Sequence, residues 1–121
     1  MIRLKDNEKR EYSMKERLDV ARGVMSIVAQ YYGMNVEEMV SKRRDKKYAN
    51  PRYVSMFLAQ MYLPHIPIKK DELGKLHGLG HSCAIRSVHE IVERRKYDAS
   101  LRHDIRDLEK LIDKYIKNPD Q

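Results

Sequence analysis

The sequence predicts an all-α domain of about six helices with an embedded helix-turn-helix. Three observations lead there. Apolar residues recur at spacings of three and four, capping patterns precede the first two such stripes, and no alternating run flanked by turn residues reads as a strand.

Ser13-Met14-Lys15-Glu16 has the form of a capping box, in which the serine and glutamate side chains satisfy each other's backbone N–H groups. Met14, Leu18, Ala21, Met25, Val28 and Tyr32 follow on one helical face, and Val20, Val24, Ile27 and Tyr31 widen it. Gly33 supplies the left-handed residue that ends this long helix. Asn35 and Glu38 repeat the capping logic for a short second helix with Val36, Met39 and Val40 turned inward. Asn50-Pro51 reads as an N-cap followed by proline at the first helical position, opening a third helix whose face is Val54, Phe57, Leu58 and Met61. Pro64 and Pro67 stop it. Residues 69–76 predict about two helical turns, and Gly78-Leu79-Gly80 a tight turn into a segment with Ile85, Val88 and Val92 on one face. The last helix, over 98–117, opens at Asp98, packs Leu101, Ile105, Leu108, Ile112 and Tyr115, and ends at Asn118-Pro119. Residues 1–12 then form a charged arm, 13–117 a single helical domain and 118–121 a tail.

A chain of 121 residues is enough for one domain. Twenty-five Lys and Arg against 18 Asp and Glu leave a formal charge of +7, which points to a polyanionic partner. Charged residues make up 36% of the chain and glycines number only 5, which excludes collagen-like and linker-like classes. The longest apolar stretch, Val24 to Ala29, is broken by Ser26 and falls far short of the roughly 20 residues that span a bilayer. The opening MIRLKDNEKREY has no apolar signal region, and the lone Cys83 allows no internal disulfide, so a cytoplasmic, nucleoid-associated protein with no membrane contact is expected.

The charge is concentrated. Residues 42–52 hold Lys42, Arg43, Arg44, Lys46, Lys47 and Arg52 against Asp45 alone, a local surplus of five. Residues 98–121 carry five basic and six acidic side chains and read as scaffold. Five excess charges in one short loop repel each other unless a partner neutralises them. The helix pair around Gly78 to Gly80 has the form of a helix-turn-helix, whose second helix enters the major groove N-terminus first. That puts His81, Ser82 and Cys83 in its first turn and Arg86 one turn further, as the residues expected to meet base edges.

The stretches VAQYYGMNVEEMVSKRR (Val28–Arg44), ANPRYVSMFLAQ (Ala49–Gln60) and GHSCAIRSVHEI (Gly80–Ile91), in that order and spacing, resemble the C-terminal DNA-binding domain of the bacterial replication initiator DnaA, a Trp-repressor-like helical fold. The resemblance covers about residues 18–112 and implies binding to short duplex sites of the kind found at replication origins. It implies phosphate contacts for Lys42, Arg43 and Arg44, a minor-groove contact for Arg52, and major-groove reading by His81 and Ser82. The family's R-D-H-T-T signature stands here as L-G-H-S-C, Leu79 to Cys83, with fewer polar base-reading groups.

No catalytic, metal or cofactor site is expected. The Gly74-Lys75 pair is followed by Leu76 and lacks the preceding glycine of a phosphate loop, so no nucleotide is expected, and 121 residues are too few for an initiator's ATPase module. His77, His81, Cys83 and His89 fit no zinc spacing and read as one base-contacting histidine among surface or half-buried polar residues. Glu37, Glu38, Asp71 and Glu72 stand at helix starts and read as caps rather than as a hydrolytic site. Tyr31 and Tyr32 lie on an apolar face and read as core rather than as a base-stacking platform. The expected function is sequence-specific binding of double-stranded DNA, in replication initiation or its regulation. The alternative is a protein-interaction module, or a transcriptional regulator of a mobile element, on the same scaffold. Protein partners are compatible with either.

Overall fold

The computed structural model describes residues 13–41, 45–62 and 68–117, which form six α-helices and one π-helical turn, with no strand among the described residues. Helix α1, Met14–Tyr31, starts at the expected capping box: Ser13 Oγ accepts from Glu16 N at 3.1 Å, and Glu16 Oε1 accepts from Ser13 N at 3.0 Å. Both of its stripes are used, with Val20, Ala21, Val24, Met25, Val28 and Ala29 buried. Met14 is the departure, because the first turn runs past the edge of the core and leaves it exposed. At the C-terminal end Gly33 has φ +75°, and the Met34 and Gly33 N–H groups return to the carbonyls of Ala29 and Gln30. Helix α2, Val36–Met39, is capped reciprocally by Asn35 and Glu38 and buries Met39.

Helix α3, Lys46–Phe57, begins five residues before the proline that was expected near its start. Asp45 is its N-cap residue without a side-chain cap bond, and Pro51 lies within the helix. Asn50 is therefore not a cap. Its Oδ1 accepts from Arg94 Nη1 at 3.0 Å and ties α3 to a later helix. Inside the helix the proline withholds the N–H that would bond to the carbonyl four residues earlier, a local cost that tertiary packing of the helix outweighs. From Leu58 to Tyr62 the helix widens into a π turn. Each residue of such a turn advances less around the axis, so the face drifts. Val54, Phe57 and Leu58 are buried as expected, but Met61 is 51% exposed.

Helix α4 is Lys70–Leu76, α5 His81–Arg94 and α6 Ala99–Lys117. Asp98 Oδ1 accepts from Leu101 N at 3.0 Å, which caps α6 as expected. Leu101, Ile105, Leu108 and Ile112 of α6 close over α1 in one core with Val54, Leu58, Leu73, Ala84 and Ile91. The buried face of α5 is Ala84, Ser87, Val88 and Ile91, rotated from the expected Ile85, Val88 and Val92. Ile85 is 41% exposed. Ala and Ser carry little hydrophobic signal, so a stripe built on them is read one position off.

Polar ties fix the layers. Arg17 on α1 grips Glu72 on α4 through Nη2 to Oε2 at 3.0 Å, and Glu72 Oε1 also accepts from Lys69 N at 3.1 Å. The arginine holds the Glu72 carboxyl below its ordinary pKa. Tyr31 and Tyr32 are half-buried with edge-to-face rings, and both hydroxyls donate to Asp104 on α6 at 3.0 Å. Burial first, and the aspartate beside them second, raise both phenol pKa values. They pack α1 on α6, as expected. Tyr62 donates to Asp113 at 2.7 Å. The arm at 1–12, Pro64, Pro67, His65, Asn118-Pro119 and the tail at 118–121 lie outside the described residues.

Candidate nucleic-acid interface

Helix α4, a four-residue connection and α5 form the helix-turn-helix. The turn is closed by two backbone bonds, Leu79 N to Gly74 O at 2.7 Å and Gly78 N to Lys75 O at 3.1 Å, the pattern of a helix ended by a left-handed residue. Gly78 supplies that residue at φ +71°. Gly74 has a different task, because a Cβ there would lie 2.8 Å from the carbonyl oxygens of both Leu79 and Gly80. Only a residue without a side chain lets α4 approach the turn so closely.

The turn is also fastened from below. His77, fully buried, has Nδ1 2.9 Å from Leu73 O and Nε2 2.8 Å from Ser55 Oγ. Burial pushes its pKa down to about 4, so it stays neutral in the ordinary pH range. The residue read as a surface or half-buried histidine is thus a buried strut between α3 and the turn.

Gly80 is the N-cap of α5 and brings no side-chain cap, so the first backbone N–H groups of α5 are not covered by a capping side chain. His81 and Ser82 are exposed, Cys83 is half-buried with a free thiol, and Arg86 is exposed one turn on. The four expected residues therefore share the N-terminal half of one helix and, Cys83 in part, its outer face. Ile85 joins that face and adds an apolar group which the sequence reading assigned to the core.

The basic cluster divides. Lys42, Arg43 and Arg44 lie outside the described residues. Lys46 and Lys47 are exposed at the start of α3, with the Lys47 ammonium 5.5 Å from the centre of the Tyr48 ring. Lys46 borders a hollow that it shares with Tyr53, Glu90 and Arg94, which sets it beside the C-terminal half of α5 rather than beside His81. Arg52 departs from expectation. It is only 6% exposed, and its Nη1 donates to Met39 O at 3.1 Å and to Ser41 O. In this conformation the guanidinium holds the carbonyls of Met39 and Ser41, the last described residues before the basic segment. An arginine beside proline in a basic run reads as surface, and only the fold shows the carbonyls converging on it.

Among the described residues no group of three or more His, Cys, Asp or Glu is arranged to hold a metal, and no helix is long and apolar enough to cross a membrane.

Residues 21–91 match the family described as the bacterial dnaA protein helix-turn-helix. The chain is 29% identical over 102 residues to the chromosomal replication initiator protein DnaA of Burkholderia multivorans, and equally to that of Burkholderia cenocepacia. The same identity and length hold for Paraburkholderia phymatum. Each alignment covers 83% of this chain and 19% of the relative, so the chain spans about a fifth of the length of these proteins. No solved structure gives a significant match. The match includes α4, the Gly78 turn and α5 through Ile91, and the chain belongs to the bacterial DnaA helix-turn-helix family.

Proposed function

We propose that this domain binds specific sites in double-stranded DNA, with α5 in the major groove and the basic segment on phosphates. The observation that carries this is the outer face of α5. A helix start without a side-chain cap, an imidazole, a hydroxyl and a guanidinium stand together on an exposed surface next to a turn that the buried His77 fastens. Helix N-termini and such side chains are the groups that meet phosphates and base edges. His81 and Ser82 read the bases nearest the helix start, Arg86 pairs with guanine or a phosphate, and Cys83 and Ile85 make apolar contacts, for which a thymine methyl is the natural counterpart. Lys42, Arg43, Arg44, Lys46 and Lys47 neutralise phosphates, while Arg52 sets the path of the chain that presents them. The reaction is binding alone, with no catalytic step, nucleotide or metal.

With four to six phosphates neutralised, log K falls with log salt at a slope of roughly −4 to −5. Sites near replication origins, and a role in initiating or regulating replication, follow from what the relatives are named for. The deciding experiment is selection of bound sequences from random duplexes, followed by competition with single strands. Enrichment of one short motif and preference for duplex support the reading. No enrichment, with capture of an acidic protein instead, favours an interaction module on the same scaffold.

A further inference from the structure

A second basic surface stands at the other end of the recognition helix. Arg95 and Lys96 follow the last turn of α5, Arg102 and Arg106 project from α6, and the four line a hollow of about 390 Å³ floored by Ile105, with Glu109 the one acid on its rim. All four basic residues are exposed.

Two neighbouring acids are committed elsewhere, while at the corner itself Glu93 pairs with Lys96 at 2.9 Å and Glu109 faces Arg95 and Arg106. Asp98 caps α6 and pairs with Arg94, and Asp104 accepts from the two tyrosines of α1. Among the described residues Arg95, Arg102 and Arg106 form no ion pair. Two of them are nonetheless held in place. The Arg95 guanidinium lies 5.3 Å from the centre of the Phe57 ring, and Arg102 Nη1 donates to Arg95 O at 2.8 Å. Three guanidiniums facing Glu109 alone, two of them pre-positioned and the third beside them, keep a net positive charge and form a surface for phosphate oxygens, which planar guanidinium matches well.

We propose that this corner binds the backbone of a second DNA duplex, so that one molecule bridges two DNA segments. The inference rests on the DNA-binding reading above. Its geometry comes from helix length: Arg95 lies 14 residues beyond His81, about 20 Å along α5. With α5 entering the groove N-terminus first, as proposed above, its far end stands away from that duplex, and phosphates bound at the α5–α6 corner then come from another segment. A contact to backbone alone makes this second site indifferent to sequence and strongly salt-dependent.

The test immobilises a duplex carrying the selected motif, loads it with protein, and adds a fluorescent duplex of unrelated sequence. Wild-type protein captures the second duplex. The double variant Arg102→Glu/Arg106→Glu still occupies the first duplex within about twofold but captures the second at least tenfold less. Arg106→Glu alone, which breaks no hydrogen bond among the described residues, shows the same direction and guards against misfolding of the double variant. Undiminished capture by both variants overturns the proposal, as does an equal loss on both duplexes, which would put the corner on the same DNA as α5. A wild-type protein that fails to occupy the first duplex overturns the DNA-binding reading itself.

Discussion

Ser55 and His77, 22 residues apart, are joined by a 2.8 Å hydrogen bond beneath the helix-turn-helix. The carbonyl of Leu73 only accepts, so the His77 Nδ1–H donates to it, and Nε2 is left to accept from the Ser55 hydroxyl. A protonated ring would reverse the bond to Ser55, with Nε2–H donating to the hydroxyl, and would place a charge in the buried interior. The imidazole pKa is lowered from 6.5 to about 4, so the folded state favours the neutral ring. Its contribution to stability is complete above pH 6.5 and is lost as pH falls toward 4, at about 1.4 kcal/mol per unit and roughly 3 kcal/mol in all. Urea unfolding at pH 7 and pH 4.5 measures this. His77→Gln does not titrate and flattens the slope between those values, even where it is less stable at pH 7. An unchanged slope would place the acid sensitivity elsewhere.

Gly74→Ala and Gly78→Ala test two distinct constraints. At position 78 the new side chain meets a φ of +71°, with an expected cost of about 1 kcal/mol. At position 74 the Cβ would press to 2.8 Å against two backbone carbonyls, which have no flexible end to swing aside. The helices must separate, with an expected cost of about 1–3 kcal/mol and a changed angle between α4 and α5. Thermal unfolding ranks the two, and the Gly74 variant loses DNA affinity beyond its loss of stability.

What could be read from the residues was local. Ser13 with Glu16 and Asn35 with Glu38 cap their helices as expected, because a capping box involves four consecutive residues and little else. The start of α3 was misread because proline's preference for a first turn is statistical, whereas the packing around Asn50 and Arg94 is tertiary. The π turn over Leu58–Tyr62 has no sequence signature, and it moved Met61 out of the core. The exposed start of α5 was legible because a glycine turn fixes where that helix begins. Arg52 and His77 were not, because both are defined by groups from other elements: the carbonyls of Met39 and Ser41 in one case, the Ser55 hydroxyl in the other. Arg17 and Glu72, 55 residues apart, are equally invisible to any local pattern.

Arg52→Met removes the donor that two carbonyls share. Leaving buried acceptors without it costs about 1–3 kcal/mol, read by chemical denaturation. On the proposed reading, in which the arginine holds the chain at Met39 and Ser41 rather than entering a groove, binding weakens by the same factor on A·T-rich and G·C-rich versions of the site. A loss confined to A·T-rich sites would return the residue to the minor groove.

Ile85→Ala and Ile91→Ala separate the two faces of α5. Ile91 is fully buried, and its truncation costs about 2–5 kcal/mol. Ile85 is exposed, and its truncation changes stability by less than about 0.5 kcal/mol. The binding effects are reversed. The Ile85 variant loses discrimination at one base pair of the selected site, most plainly thymine against uracil, which lacks the methyl group. Equal binding of both bases by wild-type protein would remove Ile85 from the interface.

Lys42, Arg43 and Arg44 enter through salt alone. If each neutralises one phosphate, replacing all three with alanine lowers affinity for every duplex and reduces the slope of log K against log salt by roughly 0.9 per residue. The part-buried tie from Arg52 to Ser41 remains in that variant, so the chain is still held at Ser41 while the charge that follows is removed. Fluorescence titrations between 50 and 200 mM salt give the slope, which the triple variant brings from roughly −4 or −5 to about −2. A triple variant with the wild-type slope would show that this segment does not meet DNA, and would transfer the electrostatic contribution to Lys46, Lys47 and the start of α5.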